Sequence, residues 1–195
     1  MDSNSVVYNG IIKGLTYEED FISEEEEQEL IETVNGLEWT NLLKRRVQHH
    51  GYSYDYIKKK IEKKGPLPKE LQAITERVSK HLLEDGQLFN QIIVNEYLPG
   101  QGIAAHTDLY QLGDTVACIS LGSAVIMDFS HMNGDFYPVQ LNRRSLLVMR
   151  DDARYMWKHA IASRKSDILL LDDGIEKKVK RGTRISITFR LVPID

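Results

Sequence analysis

The apolar residues of this 195-residue chain change their spacing near Gly86, and that change most limits the fold it can adopt. Before Gly86 the apolar positions recur every three or four residues, which is the period of an α-helix packed on one face. After Gly86 they fall in short runs separated by turn residues, which is typical of β-strands. We therefore expect helices in the first half of the chain and β-structure in the second.

Two helices are predicted in the first half. Ser23 followed by Glu26 forms a capping-box pattern, so a first helix should run from about residue 24 to 35. A second helix should follow Pro68 and close near Gly86, because its apolar residues share one face. These residues are Leu71, Ile74, Val78 and Leu82.

Short strands separated by turns are predicted in the second half. Asn133-Gly134-Asp135 and Asp172-Asp173-Gly174 are among the turn signals. This pattern favours antiparallel sheets, so we expect a mostly β fold with flanking helices. Its core should be a double-stranded β-helix, the jelly roll of cupin-like proteins, with the N-terminal helices packed outside. The predicted strands are residues 92–94, 116–121, 124–129, 145–149, 168–171 and 185–189.

The composition indicates a folded protein of a reducing compartment. Apolar residues make up 42% of the chain and charged residues 28%, and no run of about 18 apolar residues occurs that could span a bilayer. Cys118 alone excludes an internal disulfide, and the N-terminus lacks the pattern of a secretory signal. We expect a cytoplasmic protein, with the nucleus as the alternative.

Charge is divided unevenly along the chain. The formal net charge is -4, yet residues 1–38 hold 11 acidic residues against Lys13 alone, which leaves 18 acidic and 24 basic residues for the rest. The main body is therefore basic, and its clusters could follow a phosphate backbone. Solvated surface is the alternative for each cluster. The clusters are residues 44–46, 58–60, 63–64, 143–144 and 177–181.

His106 and Asp108 lie two residues apart in a segment that could be extended. Residues i and i+2 of a strand share a face, so the imidazole and the carboxylate would converge on one site. Chance is the alternative, because one such pair is expected among six histidines. His159 could add a third ligand. Two histidines and one carboxylate form the facial triad that leaves positions on iron(II) open for oxygen chemistry.

The segment 183–190 places two arginines on one face of a predicted strand. Arg184, Ser186, Thr188 and Arg190 share that face, and the other face is apolar. Buried arginines need partners, and a dicarboxylate ligand gripped by two guanidinium forks would supply them. Structural salt bridges to strand carboxylates are the alternative.

The order of these motifs resembles the AlkB family of iron(II)- and 2-oxoglutarate-dependent dioxygenases, above all its tRNA-modifying branch, AlkB homologue eight. The resemblance extends from about Tyr17 to Val192. The motifs that carry it are Asn95-Glu96-Tyr97-Leu98-Pro99-Gly100, His106-Thr107-Asp108, His159, Arg184 with Ser186 and Arg190, and residues 45–52, 120–123, 125–129, 144–149, 153–159 and 181–184.

The resemblance implies an iron centre and a 2-oxoglutarate site. Dioxygen would take the remaining position on the metal, and 2-oxoglutarate would be converted to succinate and carbon dioxide while an unreactive C–H bond is hydroxylated. Arg184 and Ser186 would suit the distal carboxylate of 2-oxoglutarate, and Arg190 the end next to the metal. The implied ligands are His106, Asp108 and His159 for Fe(II), and Asn95, Tyr97, Arg184, Ser186 and Arg190 for 2-oxoglutarate.

The resemblance also implies a modified nucleic acid as substrate. Hydroxylation of a wobble-uridine side chain, 5-methoxycarbonylmethyluridine, in tRNA is the leading expectation. Oxidative demethylation of N-alkylated bases in DNA or RNA is the alternative, and a catalytically inactive binding module on the same fold is the second alternative. Tyr110 argues against base repair, because many base-repairing members carry an acidic residue at this position.

Residues 40–65 mix basic and aromatic side chains and are expected to form a lid that combines phosphate contact with base stacking. Strand packing is the alternative, because Tyr52, Tyr54 and Tyr56 alternate as one face of a strand does. The candidate substrate contacts are Arg45, Arg46, Tyr52 and Tyr110.

Length limits the chain to one domain, since domains average roughly 150 residues. We expect an extension over about 1–15, helices and a nucleotide-recognition lid over about 16–90, and a jelly-roll core over about 91–192. Homologue-eight enzymes also carry an RNA-recognition domain, a methyltransferase and a cysteine-rich zinc site, for which this chain lacks room and cysteines. We expect a monomer that binds tRNA or another nucleic acid, no membrane, and a partner protein that supplies RNA binding or the methyltransferase.

Overall fold

Antiparallel strands dominate the computed structural model of the chain, which describes residues 5–7, 11–41, 44–55, 60–171 and 174–193. In chain order the strands are β1 (Ser5–Val7), β2 (Leu15–Glu18), β3 (Val47–His50), β4 (Tyr52–Asp55), β5 (Lys60–Lys63), β6 (Gln91–Tyr97), β7 (Ile103–His106), β8 (Val116–Gly122), β9 (Val125–His131), β10 (Phe136–Leu141), β11 (Leu146–Met149), β12 (Trp157–Ile161), β13 (Ser166–Leu170), β14 (Glu176–Lys180) and β15 (Arg184–Arg190).

Two sheets build the centre of the molecule. The larger sheet has the order β1-β2-β11-β8-β15-β6-β3, and the smaller has the order β10-β9-β12-β7. Hairpins β4–β5 and β13–β14 form separate two-stranded sheets. Apolar side chains from the inner faces of both central sheets meet in one buried cluster, which includes Cys118, Met127 and Phe129. This arrangement confirms the expected mostly β, jelly-roll fold.

Two helices, α1 (Glu24–Gly36) and α2 (Gln72–Leu82), lie on the outer face of the larger sheet. The short α3 (Asp151–Tyr155) precedes β12, and its Ala153 joins the inner cluster; 3-10 turns lie at Lys69–Leu71 and Tyr110–Leu112. A second buried cluster joins α1 and α2 to the sheet through residues that include Leu30, Val78, Ile119, Ile187 and Phe189. The helices α1 and α2 confirm both predictions from the sequence.

The capping box of α1 forms as the sequence predicts. The backbone N–H of Glu26 donates to the Ser23 hydroxyl at 3.2 Å, and the Ser23 N–H donates to the Glu26 carboxylate at 2.8 Å. Glu27, although it also lies in the acidic first turn, is buried and binds the Arg143 guanidinium and the Gly122 N–H. This carboxylate therefore ties α1 to the sheet.

The expectation that the first half of the chain is helical is incomplete. Two strands of the first half join the larger sheet: β2 pairs with β11, and β3 pairs with β6. Each has four residues, which is too short for a spacing pattern to show. β10, β12 and β14 were also not among the predicted strands. Tyr56, Lys58, Lys59, Asp172 and Asp173 lie outside the described residues.

None of the helices in the described ranges is both long enough and apolar enough to cross a membrane.

Candidate active site

The inner face of the smaller sheet brings two histidines together. His106 at the end of β7 and His159 in the middle of β12 are opposite each other in the antiparallel pair, and their ring centroids are 4.4 Å apart. Asp108 follows β7 directly. One ligand atom from each of the three side chains lies within 4.8 Å of the others. The predicted convergence is therefore present, and the donor set suits a divalent metal ion.

The protonation states of these side chains also suit a metal. His106 Nδ1 lies 2.8 Å from the Ala104 carbonyl, so Nδ1–H donates there and Nε2 keeps its lone pair. Burial, the largest influence, lowers the pKa of His159 to about 4, which leaves its imidazole neutral at physiological pH. Burial is the largest single influence on Asp108 and raises its pKa, but the charge and hydrogen bond of Arg190 together with the other neighbouring positive groups more than offset it, and the pKa lies at about 2.

Arg190 is bound to Asp108 rather than standing free in the barrel. Its Nη2 donates to Asp108 Oδ1 at 2.8 Å, and longer contacts of 3.4 Å join Nε to Asp108 Oδ2 and Nη1 to Gln91 Oε1. The Arg190 guanidinium, which was expected to bind a dicarboxylate, therefore also binds Asp108, a candidate metal ligand. Arg190 fixes the orientation of that carboxylate, and its contact with 2-oxoglutarate stays a prediction.

Arg154 clamps the loop that carries Asp108. Its guanidinium is almost fully buried and donates to the carbonyls of Asp108 at 2.9 Å, Leu109 at 2.5 Å and Gly113 at 3.2 Å. These bonds fix the backbone immediately after β7. Sequence reasoning missed this role, although Arg154 stands five residues before His159 in a segment that carries the family resemblance.

Arg184 lies at the other end of β15 on the inner face of the barrel. Its side chain is 2% exposed, and Nη2 donates to Ser120 Oγ at 2.9 Å. Its Nε has no hydrogen-bond partner, and no carboxylate pairs with it in the described part of the chain. A buried guanidinium without a counter-ion is costly. The environment of Arg184 therefore suits the carboxylate of a bound anion.

Polar groups lie beside Arg184 on the inner face of the larger sheet. Ser186 is opposite Asn95 on β6 and Ser120 on β8, and Arg184 is opposite Tyr97, so the register places these side chains on one inner face. Burial raises the pKa of Tyr97, so its phenol stays protonated and can donate. Ser120 was missed from the sequence, because only the strand register brings it beside Arg184.

The structure separates the four candidate substrate contacts. Arg45 donates to Asn95 Oδ1 at 2.9 Å, which links the lid segment to β6. Arg46 binds both carboxylate oxygens of Glu96, at 2.6 and 2.7 Å, and its guanidinium lies over the Trp39 ring. These contacts engage the Arg46 guanidinium within the fold, and its contact with substrate stays a prediction.

The two tyrosines differ in position. Tyr52, at the start of β4, is half-buried, and its carbonyl accepts a hydrogen bond from Gln91 at 3.0 Å. Tyr110 is 76% exposed and pairs with Tyr155 at a ring separation of 5.5 Å. Because Tyr110 follows Asp108 by two residues, this aromatic pair lies at the mouth of the barrel. The pair offers a stacking surface, and the Asp114 carboxylate beside it is engaged by the Tyr155 hydroxyl.

Comparison with known proteins places this geometry in a family. The family model of the 2OG-Fe(II) oxygenase superfamily matches residues 16–190. The mouse protein named tRNA (carboxymethyluridine(34)-5-O)-methyltransferase ALKBH8 is 40% identical over 92% of this chain, which spans 30% of that relative's length. The zebrafish protein named probable RNA/DNA demethylase ALKBH6 is 32% identical, over 91% of this chain and 85% of its own length.

A solved structure supports the fold independently. The structure of OsALKBH1 superposes with a TM-score of 0.65 at 16% identity, covering 91% of this chain and 96% of that one. The family uses Fe(II), 2-oxoglutarate and dioxygen. The chain therefore belongs to the 2OG-Fe(II) oxygenase superfamily, as a dioxygenase of the ALKBH family.

Proposed function

We propose that this dioxygenase hydroxylates the side chain of 5-methoxycarbonylmethyluridine at the wobble position of tRNA. The observation that carries the proposal is the combination of three convergent metal-ligand side chains with the buried Arg184, which has no carboxylate partner among the described residues. The mouse relative's name places its own activity on a uridine side chain of tRNA. The proposed ligands are His106, Asp108 and His159 for Fe(II), and Asn95, Tyr97, Arg184, Ser186 and Arg190 for 2-oxoglutarate.

The residues of this chain would position the reactants. Bound iron and 2-oxoglutarate supply the oxidising power, with succinate and carbon dioxide as products. Arg184 would neutralise the distal carboxylate of 2-oxoglutarate, and Tyr97 would donate a hydrogen bond to the same molecule. Arg190 and Arg154 would hold Asp108 in place from its side chain and its backbone. The main contribution of the protein is therefore to position the reactants relative to one another.

The mouth of the barrel favours a neutral base. Tyr110 and Tyr155 present aromatic rings beside the metal-ligand cluster, and Asp114 accepts a hydrogen bond from the Tyr155 hydroxyl at 2.6 Å. A cationic methylated base would gain from a carboxylate at position 110, which holds tyrosine. Uracil with an extended side chain needs stacking and no such charge. Tyr110 therefore supports the uridine substrate over base repair.

The products distinguish the proposal from demethylation, which the name of the zebrafish relative suggests for that protein. Hydroxylation of an N-methyl carbon gives a hemiaminal that releases formaldehyde. Hydroxylation of a carbon attached to the uracil ring gives an alcohol that persists. An anticodon stem-loop containing 5-methoxycarbonylmethyluridine should therefore gain one oxygen atom, detected by nucleoside mass spectrometry, without formaldehyde above the uncoupled background.

The variant Asp108→Ala tests the metal site. Its matched control is Asp85→Ala, which changes an aspartate at an exposed turn. Asp108→Ala should abolish both the mass gain and succinate formation, whereas Asp85→Ala should retain them. Formaldehyde release from methylated adenine or cytosine, with no mass gain on the stem-loop, would establish demethylation instead. Absence of iron-dependent succinate formation by the unmodified protein would favour an inactive binding module.

A further inference from the structure

A group of four exposed lysines borders the turn after β6, and we call it the lysine ridge. Lys178 and Lys180 lie on one face of β14, Lys165 lies just before β13, and Lys44 lies in the lid segment. The proposed chemistry of the barrel uses none of them. Their side chains are exposed, so they are available to a partner.

Backbone contacts join the parts of the lysine ridge through residues 98–101. The Gln101 side chain donates to the Lys44 carbonyl at 2.7 Å. On the other side the Gly100 N–H donates to the Arg164 carbonyl at 3.2 Å, next to Lys165. Lys180 is opposite Ser166 in the β13–β14 hairpin. The turn at residues 98–101 therefore connects the backbone segments that carry the ridge lysines, although these segments are distant in sequence.

The lysines of the ridge lack the ion pairs that engage nearby arginines. Arg164 and Arg181 both bind Asp167, which is buried, at distances down to 2.5 Å. No ion pair joins a ridge lysine to a carboxylate within the described part of the chain. Glu176 shares β14 with the ridge and is exposed, yet it forms no ion pair with these lysines. Repulsion among the unpaired ammonium groups favours an extended polyanion as partner.

The position of the ridge relative to the barrel sets what it can contact. Gln91, at one end of β6, is opposite Arg190 and therefore lies close to Asp108. Tyr97, at the other end of β6, comes directly before the turn at residues 98–101 that borders the ridge. The six residue steps between them span about 20 Å. At the roughly 3.4 Å that each nucleotide advances along the axis of a double helix, a stacked RNA strand anchored at the metal site would meet the ridge about six nucleotides away.

We propose that the lysine ridge binds the phosphate backbone of the substrate RNA outside the modified nucleotide. The proposal rests on the proposed function, because it takes the barrel's substrate to be part of a longer RNA. The ridge supplies affinity without reading sequence, since lysines bind phosphates as point charges. The barrel mouth then selects the modified base.

The test compares two triple variants of the full chain. The ridge variant is Lys165→Gln, Lys178→Gln and Lys180→Gln, and the control is Lys13→Gln, Lys69→Gln and Lys80→Gln, which removes the same charge from exposed lysines elsewhere. Binding of tRNA containing 5-methoxycarbonylmethyluridine is measured by fluorescence anisotropy over a range of salt concentrations. Thermal unfolding confirms that both variants fold.

The ridge variant should lose the salt dependence that its three lysines supply. The slope of log affinity against log salt should flatten by about 0.7 per lysine, or about 2 in total. The control variant should keep the slope of the unmodified protein. A trinucleotide centred on the modified uridine is too short to reach the ridge, so the ridge variant and the control should bind it equally.

Equal salt slopes for the ridge and control variants on tRNA would overturn the proposal. It would also be overturned if the ridge variant kept tRNA binding but lost binding to phosphatidylserine vesicles, which would assign the surface to lipid headgroups. The same measurements test the proposed function separately from the ridge. Ridge-dependent tRNA binding without hydroxylation would reject the uridine chemistry and retain the ridge, whereas hydroxylation with ridge-independent binding would reject the ridge alone.

Discussion

Arg184 and Arg190 occupy the same face of β15, but their partners differ. Arg190 donates to Asp108, whereas Arg184 donates to the neutral Ser120 and leaves its Nε without a partner. A buried cation without an anion is stable only if a ligand supplies the charge. Arg184 is therefore the stronger candidate for the 2-oxoglutarate carboxylate, and Arg190 acts through the metal ligand.

Replacing Arg184 by lysine tests this assignment. Arg184→Lys turns a planar fork into a point charge, so the KM for 2-oxoglutarate should rise at least about tenfold, the scale of one lost charge-assisted hydrogen bond. Metal affinity should be retained, because Arg184 contacts no metal-ligand side chain. Arg190→Lys should instead weaken metal binding as well. Steady-state kinetics with varied 2-oxoglutarate, together with metal titration, measure both effects; unchanged KM in Arg184→Lys would contradict the assignment.

Arg154 offers a second test at the residue scale. Arg154→Met removes the donors for the carbonyls of Asp108, Leu109 and Gly113, and unsatisfied buried groups cost about 1–3 kcal/mol each. The loop should loosen, and metal affinity should fall about tenfold, as it does for other groups that orient ligands. Arg154→Lys keeps the charge and should recover part of the affinity. Calorimetric titration with a divalent metal measures the change, and a Met variant with unaltered affinity would assign Arg154 to stability alone.

At the scale of elements, the pairing of β7 with β12 decides whether the histidines meet. Gly102, just before β7, lies where the two strands approach closely, and a Cβ there would come within 2.1 Å of the Ile161 carbonyl oxygen. A larger residue must therefore push β7 away from β12. Because His106 and His159 sit on these two strands, the cluster depends on the absence of a side chain at position 102.

Gly102→Ala should reduce metal affinity by moving His106 away from His159. The matched control is Ser23→Ala, which removes the cap of α1 and should lower the free energy of unfolding by about 1 kcal/mol without affecting the metal ligands. Metal titration and chemical denaturation of both variants separate the two effects. Equal metal affinity in the two variants would show that the strands tolerate the extra methyl group.

At the scale of the whole molecule, buried titratable groups link stability to pH. Burial lowers the pKa of His159 from 6.5 to about 4, so between these values the unfolded chain binds a proton that the folded chain does not. The metal-free protein should therefore lose stability as the pH falls from about 6.5 toward 4. Burial lowers the pKa values of His49 and His50 as well, which adds to the effect.

Thermal unfolding of the metal-free protein over this pH window measures the loss. Asp108 extends this loss of stability to lower pH. Its pKa is 3.8 in the unfolded chain and about 2 in the folded chain, so its carboxylate stabilises the fold above pH 3.8 and this contribution is lost as the pH falls toward 2. His159→Gln should show a shallower decline between pH 6.5 and 4, since one of the three histidines with a lowered pKa is gone. An identical decline would place the effect on other residues.

Several features of this protein could be predicted from the sequence because they depend on short-range pattern. The capping box at Ser23, the helical face of α2 and the alternation along β15 involve residues a few positions apart. The spacing of His106 and Asp108 indicated a shared site in the same way. Local geometry fixes such relations before any tertiary contact forms.

Only the tertiary structure decided how distant residues share their charges. Arg46 meets Glu96, Arg190 meets Asp108, and Arg154 meets the loop after β7, each across tens of residues of sequence. No local spacing records these partners, since strand register and sheet order set them. The same register left Arg184 without a counter-ion and brought Lys44 to the lysine ridge. The sequence by itself therefore determined the elements and the metal ligands' spacing, whereas the fold determined which cations remain free to bind a ligand.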